Sequence, residues 1–248
     1  MLLTDRNNNS VKLVSLLTSS LVSQVSVPGC PWDMCLLPCE RVAISVYDVS
    51  ANTGSIQFLD TREQKISLGK SMTMDKQCRG IGYNNDCLIV SYFSGELEKM
   101  DLEGRVLKKV SYRSSEHDIE NPFYLTVVIE DQTAEIYVSD SNTNTITKLD
   151  MDLSILQTFR DPVLRDPRGI TAVENQLLIS GLASNNIVQL DLPSGQMTQL
   201  LGEDEGIQGP DSVCYNQQQT KLYVTCIPLV GISDFNFVKV YWKTGTFY

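Results

Sequence analysis

Histidine is almost missing from this sequence: His117 is the only one among 248 residues. A Ser-His-Asp set or a histidine-based zinc site has nothing else to draw on. His117, in the polar segment Ser114–Glu120, therefore reads as a solvated loop residue. There is no GxSxG elbow, no Walker-type loop and no GxGxxG turn. The sialidase Asp-box pattern SxDxGxTW is absent as well. No apolar run approaches the roughly 18 residues a membrane-spanning helix needs, so no membrane partner is expected. Met1–Leu17 carries Asp5 and Arg6 where a signal peptide would be apolar, and it has no basic leader. Cations are scarce too: 20 Lys and Arg stand against 30 Asp and Glu, a net charge of −10. Phosphate-backbone binding draws on Lys and Arg, so RNA or DNA is a weaker expectation than protein.

Seven cysteines are present: Cys30, Cys35, Cys39, Cys78, Cys87, Cys214 and Cys226. An odd count without a secretory signal points away from a disulfide framework and towards a reducing, cytoplasmic compartment. Cys30, Cys35 and Cys39 could suggest a metal site, but structural zinc favours paired short spacings. Small buried thiols on strands and strand ends are the simpler reading, and no metal or cofactor is expected.

The chain does contain a repeat. Three apolar residues followed by a hydroxyl recur as Met1–Thr4, Val42–Ser45, Leu88–Ser91, Ile136–Ser139, Leu177–Ser180 and Leu222–Thr225, about 44 residues apart. A second element ends in Asp at Ile56–Asp60, Leu97–Asp101, Ile146–Asp150 and Ile187–Asp191, with looser copies at Val11–Ser15 and Val238–Trp242. Turns follow at Asp101–Gly104 and Asp191–Gly195, leading into Val106–Val110 and Met197–Leu201. A third element precedes the tetrapeptide: Pro31–Met34, Cys78–Ile81, Pro122–Leu125, Pro167–Ile170 and Pro210–Val213. Four short strands per period of 40 to 50 residues are what β-propeller blades give. The tetrapeptide strand is apolar throughout, as a strand covered on both faces by neighbouring blades would be.

The expectation is thus an all-β, six-bladed propeller, one domain over 1–248. Its units are approximately 1–29, 30–76, 77–120, 121–165, 166–208 and 209–248. The first unit lacks its first strand and the last its fourth, so the first and last blades are incomplete. This suggests a fragment of a longer protein whose missing piece lies upstream of Met1, or an open ring.

Between the second and third strands the sequence resembles NHL repeats, with their Asp, Asn and Ile pattern. Asp5, Asn8, Asn9 and Val11 match it, Asp140, Asn144 and Ile146 match in part, and Asn185 and Ile187 keep the Asn beside Gly181. The Arg often found before the Ile is absent, replaced by Ser10, Thr145 and Asn186. The chain is most similar to the divergent NHL-like propellers of invertebrate tripartite-motif (RING, B-box, coiled-coil) ubiquitin ligases. That resemblance implies a non-catalytic partner-recognition module with the RING elsewhere and oligomerisation, if any, through upstream segments. Here Asp and Asn have a structural use, capping the loop and tolerating positive φ.

The candidate partner-binding rim is the second position of each third element, Trp32, Arg79, Phe123, Arg168 and Asp211, with Tyr83 and Tyr124 nearby. Trp, Phe and Arg at a concave mouth suit a protein interface, and Arg79 and Arg168 are expected to be exposed. Two connections, Tyr47–Gly54 and Ile227–Asn236, are expected to stand above this rim as long loops. The acidic run Glu203–Glu205 reads as a solvated loop. Two other functions compete. RNA binding would use the same rim. A metal-dependent, gluconolactonase-like hydrolase would need channel acids, for which Asp33, Asp211 and Glu120 are the candidates.

Overall fold

A computed structural model of the protein describes residues 1–112, 119–130, 133–227 and 237–242. The apolar and β-branched runs form strands and the Gly, Asn and Asp clusters form the turns between them. The first sheet is β1 (Leu2–Asp5), β2 (Ser10–Ser15) and β3 (Ser20–Ser26). The second is β4 (Cys30–Leu37), β5 (Arg41–Asp48), β6 (Thr53–Asp60) and β7 (Ser67–Met74). The third is β8 (Cys78–Asn84), β9 (Cys87–Tyr92), β10 (Glu96–Asp101) and β11 (Val106–Ser111). These lie in one compact unit, Met1–Pro122.

A second unit runs from Phe123 to Tyr248. Its sheets are β12 (Pro122–Glu130), β13 (Thr133–Asp140), β14 (Thr145–Leu149) and β15 (Ile155–Phe159); then β16 (Pro167–Val173), β17 (Gln176–Gly181), β18 (Asn186–Asp191) and β19 (Met197–Leu201); then β20 (Pro210–Asn216), β21 (Lys221–Cys226) and β22 (Phe237–Trp242). Every sheet is a meander in chain order. The tetrapeptides fall in β1, β5, β9, β13, β17 and β21, and each third element opens β4, β8, β12, β16 or β20.

Burial explains the apolar second strand. Val42 and Ile44 of β5 pack with Val11 of the first sheet, while Ala43 between them packs with Ile81, Leu88 and Val90 of the third. In the second unit Leu177 and Ile179 of β17 meet Tyr137 and Ile146, and Leu178 meets Val213 and Val224. Side chains alternate across a strand, so a strand sandwiched between two sheets must be apolar at every position. A single meander could not bury both faces; stacked neighbours do it. The outermost strands are correspondingly wet, with Leu68 of β7 50% exposed and Leu107 of β11 55%.

The fold is an all-β propeller, but the six-bladed expectation is corrected to five blades. Among the described residues there are 22 strands, enough for five four-stranded blades with two strands over and too few for six. Four sheets have the full four strands, and the first and last have three. The sequence period counted tetrapeptides, and a tetrapeptide marks one strand rather than a finished sheet. No helix among the described residues is long and apolar enough to cross a membrane.

Candidate functional site

The first strand of a sheet does not pair evenly with the second. The register slips between Pro31 and Met34, Cys78 and Ile81, Pro167 and Ile170, and Pro210 and Ser212. These are β-bulges, which leave main-chain groups unpaired and redirect side chains. The tetrapeptide hydroxyl meets that need. Ser45 Oγ accepts from the Asp33 amide at 3.0 Å, Ser91 Oγ from the Gly80 amide at 2.8 Å and Ser139 Oγ from the Tyr124 amide at 3.1 Å. Ser45 also donates to the Arg79 carbonyl, and Ser180 lies 3.1 Å from the Asp211 carbonyl, each in the next sheet. All four serines are fully buried. The recurring hydroxyl was the visible signal for this latch, and its role was missed.

Bulging places the second-position side chains, and in the first unit it brings two of them together. The Arg6 guanidinium lies 4.0 Å from the Trp32 ring centroid. Arg79 lies 5.4 Å from the same ring and 3.5 Å from that of Phe93. Arg6, Trp32, Arg79 and Phe93 thus form a linked cation–π series. Arg79 is only 5% exposed, where exposure was expected. A flat, weakly hydrated guanidinium can be buried against aromatic faces if its fork finds acceptors, and Arg79 donates to Asn121 Oδ1.

In the second unit Arg168 lies 3.7 Å over Phe123 and forms a bidentate pair with Asp166, at 2.8 and 3.1 Å. Phe123 and Tyr124 are buried, with ring centroids 5.4 Å apart, so these two aromatics belong to the core more than to a surface. Asp211 is half-buried in the bulge of β20. Tyr83 is not brought to this end: it pairs with Leu88 near the β8–β9 turn and its hydroxyl donates to Asp86 at 3.1 Å. Asp33 serves the main chain, accepting from Met34 at 2.8 Å and from Ile81 of the next sheet at 3.0 Å. Among the described residues no three His, Cys, Asp or Glu side chains are grouped to hold a metal ion.

The loops after the second strands carry a second repeat. Asn9, Asn52, Asn144 and Asn185 all sit at positive φ, between 45° and 57°. Each reaches the connection leading to the following sheet. Asn144 Oδ1 accepts from the Asp166 amide at 2.7 Å and Asn185 Oδ1 from the Gly209 amide at 2.9 Å, and Asn9, with its amide turned to the orientation that satisfies both ends, donates to the Gly29 carbonyl at 3.1 Å. Asn52 Oδ1 accepts from Gln77. Asp5, Asp48 and Asp140 cap the same turns through Asx-type bonds. The Asp and Asn pattern is therefore structural, and it also holds at Asp48 and Asn52. Tyr47–Gly54 is corrected: β5 and β6 extend through most of it, leaving a four-residue turn, 49–52. Of Ile227–Asn236, residues 228–236 lie outside the described residues, as does His117.

One loop departs from the pattern. After β9 the chain reads Phe93-Ser94-Gly95, with Gly95 at φ 80° and no Asn to reach across. Beside it opens a cleft of about 340 Å³ lined by Asn52, Asp75, Lys76, Gln77, Phe93 and Ser94. Phe93 is 49% exposed there. Beneath, Glu96 accepts from Lys76 and from Ser94, the latter at 2.8 Å. Burial pushes the Glu96 carboxyl up, but these two partners outweigh it and hold it below its ordinary value. Lys109 lies 3.2 Å from Glu98, which accepts from Tyr92 at 2.7 Å. Burial, and then Glu98, hold that phenol well above its usual range.

All seven cysteines are free. Cys78 and Cys226 are buried as expected, whereas Cys39 and Cys214 are exposed. Burial pushes the Cys78 thiol up to about 11.

The fold has solved counterparts. Virginiamycin B lyase from Staphylococcus aureus superposes with a TM-score of 0.65 at 14% identity, covering 99% of this chain and 81% of the lyase. A catalytically inactive histidine-to-alanine variant of that lyase, solved with quinupristin, gives 0.64 at 14% identity, covering 96% and 78%. A protein of unknown function from Bacteroides caccae gives 0.65 at 13% identity, covering 90% and 81%. At such identities the likeness establishes the β-propeller fold and nothing finer. No protein-family model and no curated protein sequence matches the chain.

Proposed function

We propose that this propeller is a non-catalytic protein-interaction module, and that it recruits a partner or substrate to a tripartite-motif-type ubiquitin ligase in the cytoplasm, with the RING carried elsewhere. The observation that carries the interaction reading is the half-exposed Phe93, held from behind by the stacked Arg79 at 3.5 Å beside an open cleft. An aromatic fixed in place loses little side-chain entropy on binding, and such residues dominate protein interfaces. The ligase context rests on the NHL-like loops alone.

RNA binding has less support. The arginines at the bulges are engaged, Arg79 with Asn121 and two rings and Arg168 with Asp166 and Phe123. The chain is also acidic, with a net charge of −10. A lyase or hydrolase reading has less still. One histidine is available to it, and Asp33 is committed to two main-chain amides.

Affinity capture from cell extract with the wild-type chain and Phe93→Ala tests the reading. A partner protein should be retained by the wild type after nuclease treatment and reduced at least tenfold by the variant, in line with a hot spot of about 2 kcal/mol. Loss on nuclease treatment would transfer the case to RNA. Equal recovery by both proteins would remove Phe93 from the site.

A further inference from the structure

The cleft beside Phe93 holds a charge that the fold does not use. Its walls come from the β5–β6 turn (Asn52), the β7–β8 connection (Asp75, Lys76 and Gln77) and the loop after β9 (Phe93 and Ser94). Most of this lining is committed. Asn52 and Gln77 are bonded to each other, and the Phe93 amide donates to the Gln77 carbonyl at 3.1 Å. Lys76 is taken by Glu96, and Lys109 by Glu96 and Glu98. Two lysines thus balance two glutamates. Asp75 is exposed and makes no hydrogen bond or ion pair among the described residues.

An exposed carboxylate alone asks for nothing, since water solvates it well. The aromatic surface in the same cleft is the second observation. Phe93 is 49% exposed, with the Arg79 guanidinium stacked 3.5 Å from its centroid. The pinned main chain between Phe93 and Gln77 holds that ring and the segment bearing Asp75 in a fixed relation, so little order has to be gained on binding.

A side chain suited to both groups has an apolar stem and a cationic head. Arginine and lysine have that form: their methylenes pack along apolar surface while the charge stays in water or on an acid. An aromatic side chain would cover Phe93 but leave the carboxylate without a counterion. An acid or a phosphate would meet Asp75 as a like charge. Arg79 decides where the head goes. A second cation centred on Phe93 would be repelled by the guanidinium already stacked there, so the head is drawn to Asp75 and the stem to the ring. The chain as a whole is acidic, with 30 Asp and Glu against 20 Lys and Arg, which favours encounter with a basic partner.

Resting on the interaction reading above, we propose that this cleft is a subsite for an arginine or lysine side chain from a basic segment of a partner protein, its stem on Phe93 and its head on Asp75.

The isotope-labelled full chain is titrated with the peptide acetyl-Gly-Ser-Arg-Ser-Gly-amide and read by amide chemical shifts. Saturable shifts are expected in residues 75–77 and 93–95. Citrulline in place of the peptide's arginine keeps the shape and removes the charge, and should weaken binding about threefold or more, the size of an exposed ion pair. Asp75→Asn should weaken the arginine peptide by the same factor and leave the citrulline peptide unchanged, whereas Phe93→Ala should weaken both. The proposal is overturned if the arginine peptide does not saturate, if the citrulline peptide binds the wild type equally, or if the corresponding tyrosine peptide binds more tightly. It is also overturned if Arg113→Ala binds the arginine peptide more tightly than the wild type, because a cation of the chain itself would then own the cleft. Capture from extract that is lost in Phe93→Ala but unchanged in Asp75→Asn would overturn the basic-partner proposal and leave the interaction reading standing.

Discussion

At the scale of single residues, the hydroxyl that ends each tetrapeptide holds the bulge through which the candidate residues are presented. Ser45 is fully buried and satisfies both the Asp33 amide and the Arg79 carbonyl. Ser45→Ala would leave a buried donor and a buried acceptor unmade, and such groups cost about 1–3 kcal/mol. Urea unfolding should show a loss in that range. Ser71→Ala, on the exposed outer strand β7, should stay within about 0.5 kcal/mol of wild type. The same scale shows how far the sequence could be read. The hydroxyl was visible, but its partner is a main-chain bulge, and residue identity does not encode a slipped register. Arg79 was expected in solvent because charge resists burial; its stacking on Phe93 depends on a loop 14 positions later in the chain. Asn52 escaped notice because Tyr47–Gly54, with Asp48, Ser50 and Gly54, read as one long loop, whereas β5 and β6 run into it and leave only the turn 49–52.

At the scale of strands and sheets, the sequence was most informative. The alternating environments of Val42, Ala43 and Ile44 require an unbroken apolar run, and that run is what repeats. Close approach of first strands is the other requirement. A Cβ at Gly169 would meet the Ser212 Cα at 2.7 Å and the Val213 amide nitrogen at 3.0 Å. Those are backbone atoms of the next sheet and cannot rotate away, so β16 and β20 would have to separate. Gly169→Ala should therefore destabilise the protein by about 1–3 kcal/mol, the range of overpacked cores. Chemical unfolding measures it, and an unchanged midpoint would mean that the two first strands do not lie so close. Tyr83 was misplaced at this scale for a simple reason. Four residues along a strand from Arg79 is more than 10 Å at about 3.3 Å per residue, which carries a side chain to the opposite end of the sheet.

At the scale of the whole molecule, a stack of sheets is only as protected as the neighbours of each sheet allow. Stability in such arrays is a sum of unit and nearest-neighbour terms, and incomplete units open most easily. Among the described residues four sheets have all four strands, and the shortfall lies in the first and last, which have three each. Hydrogen exchange should rank the tetrapeptide strands accordingly. Amides of β9 and β17, with residues at 0% exposure and a strand on either side, should exchange slowest, and those of half-buried β1 fastest.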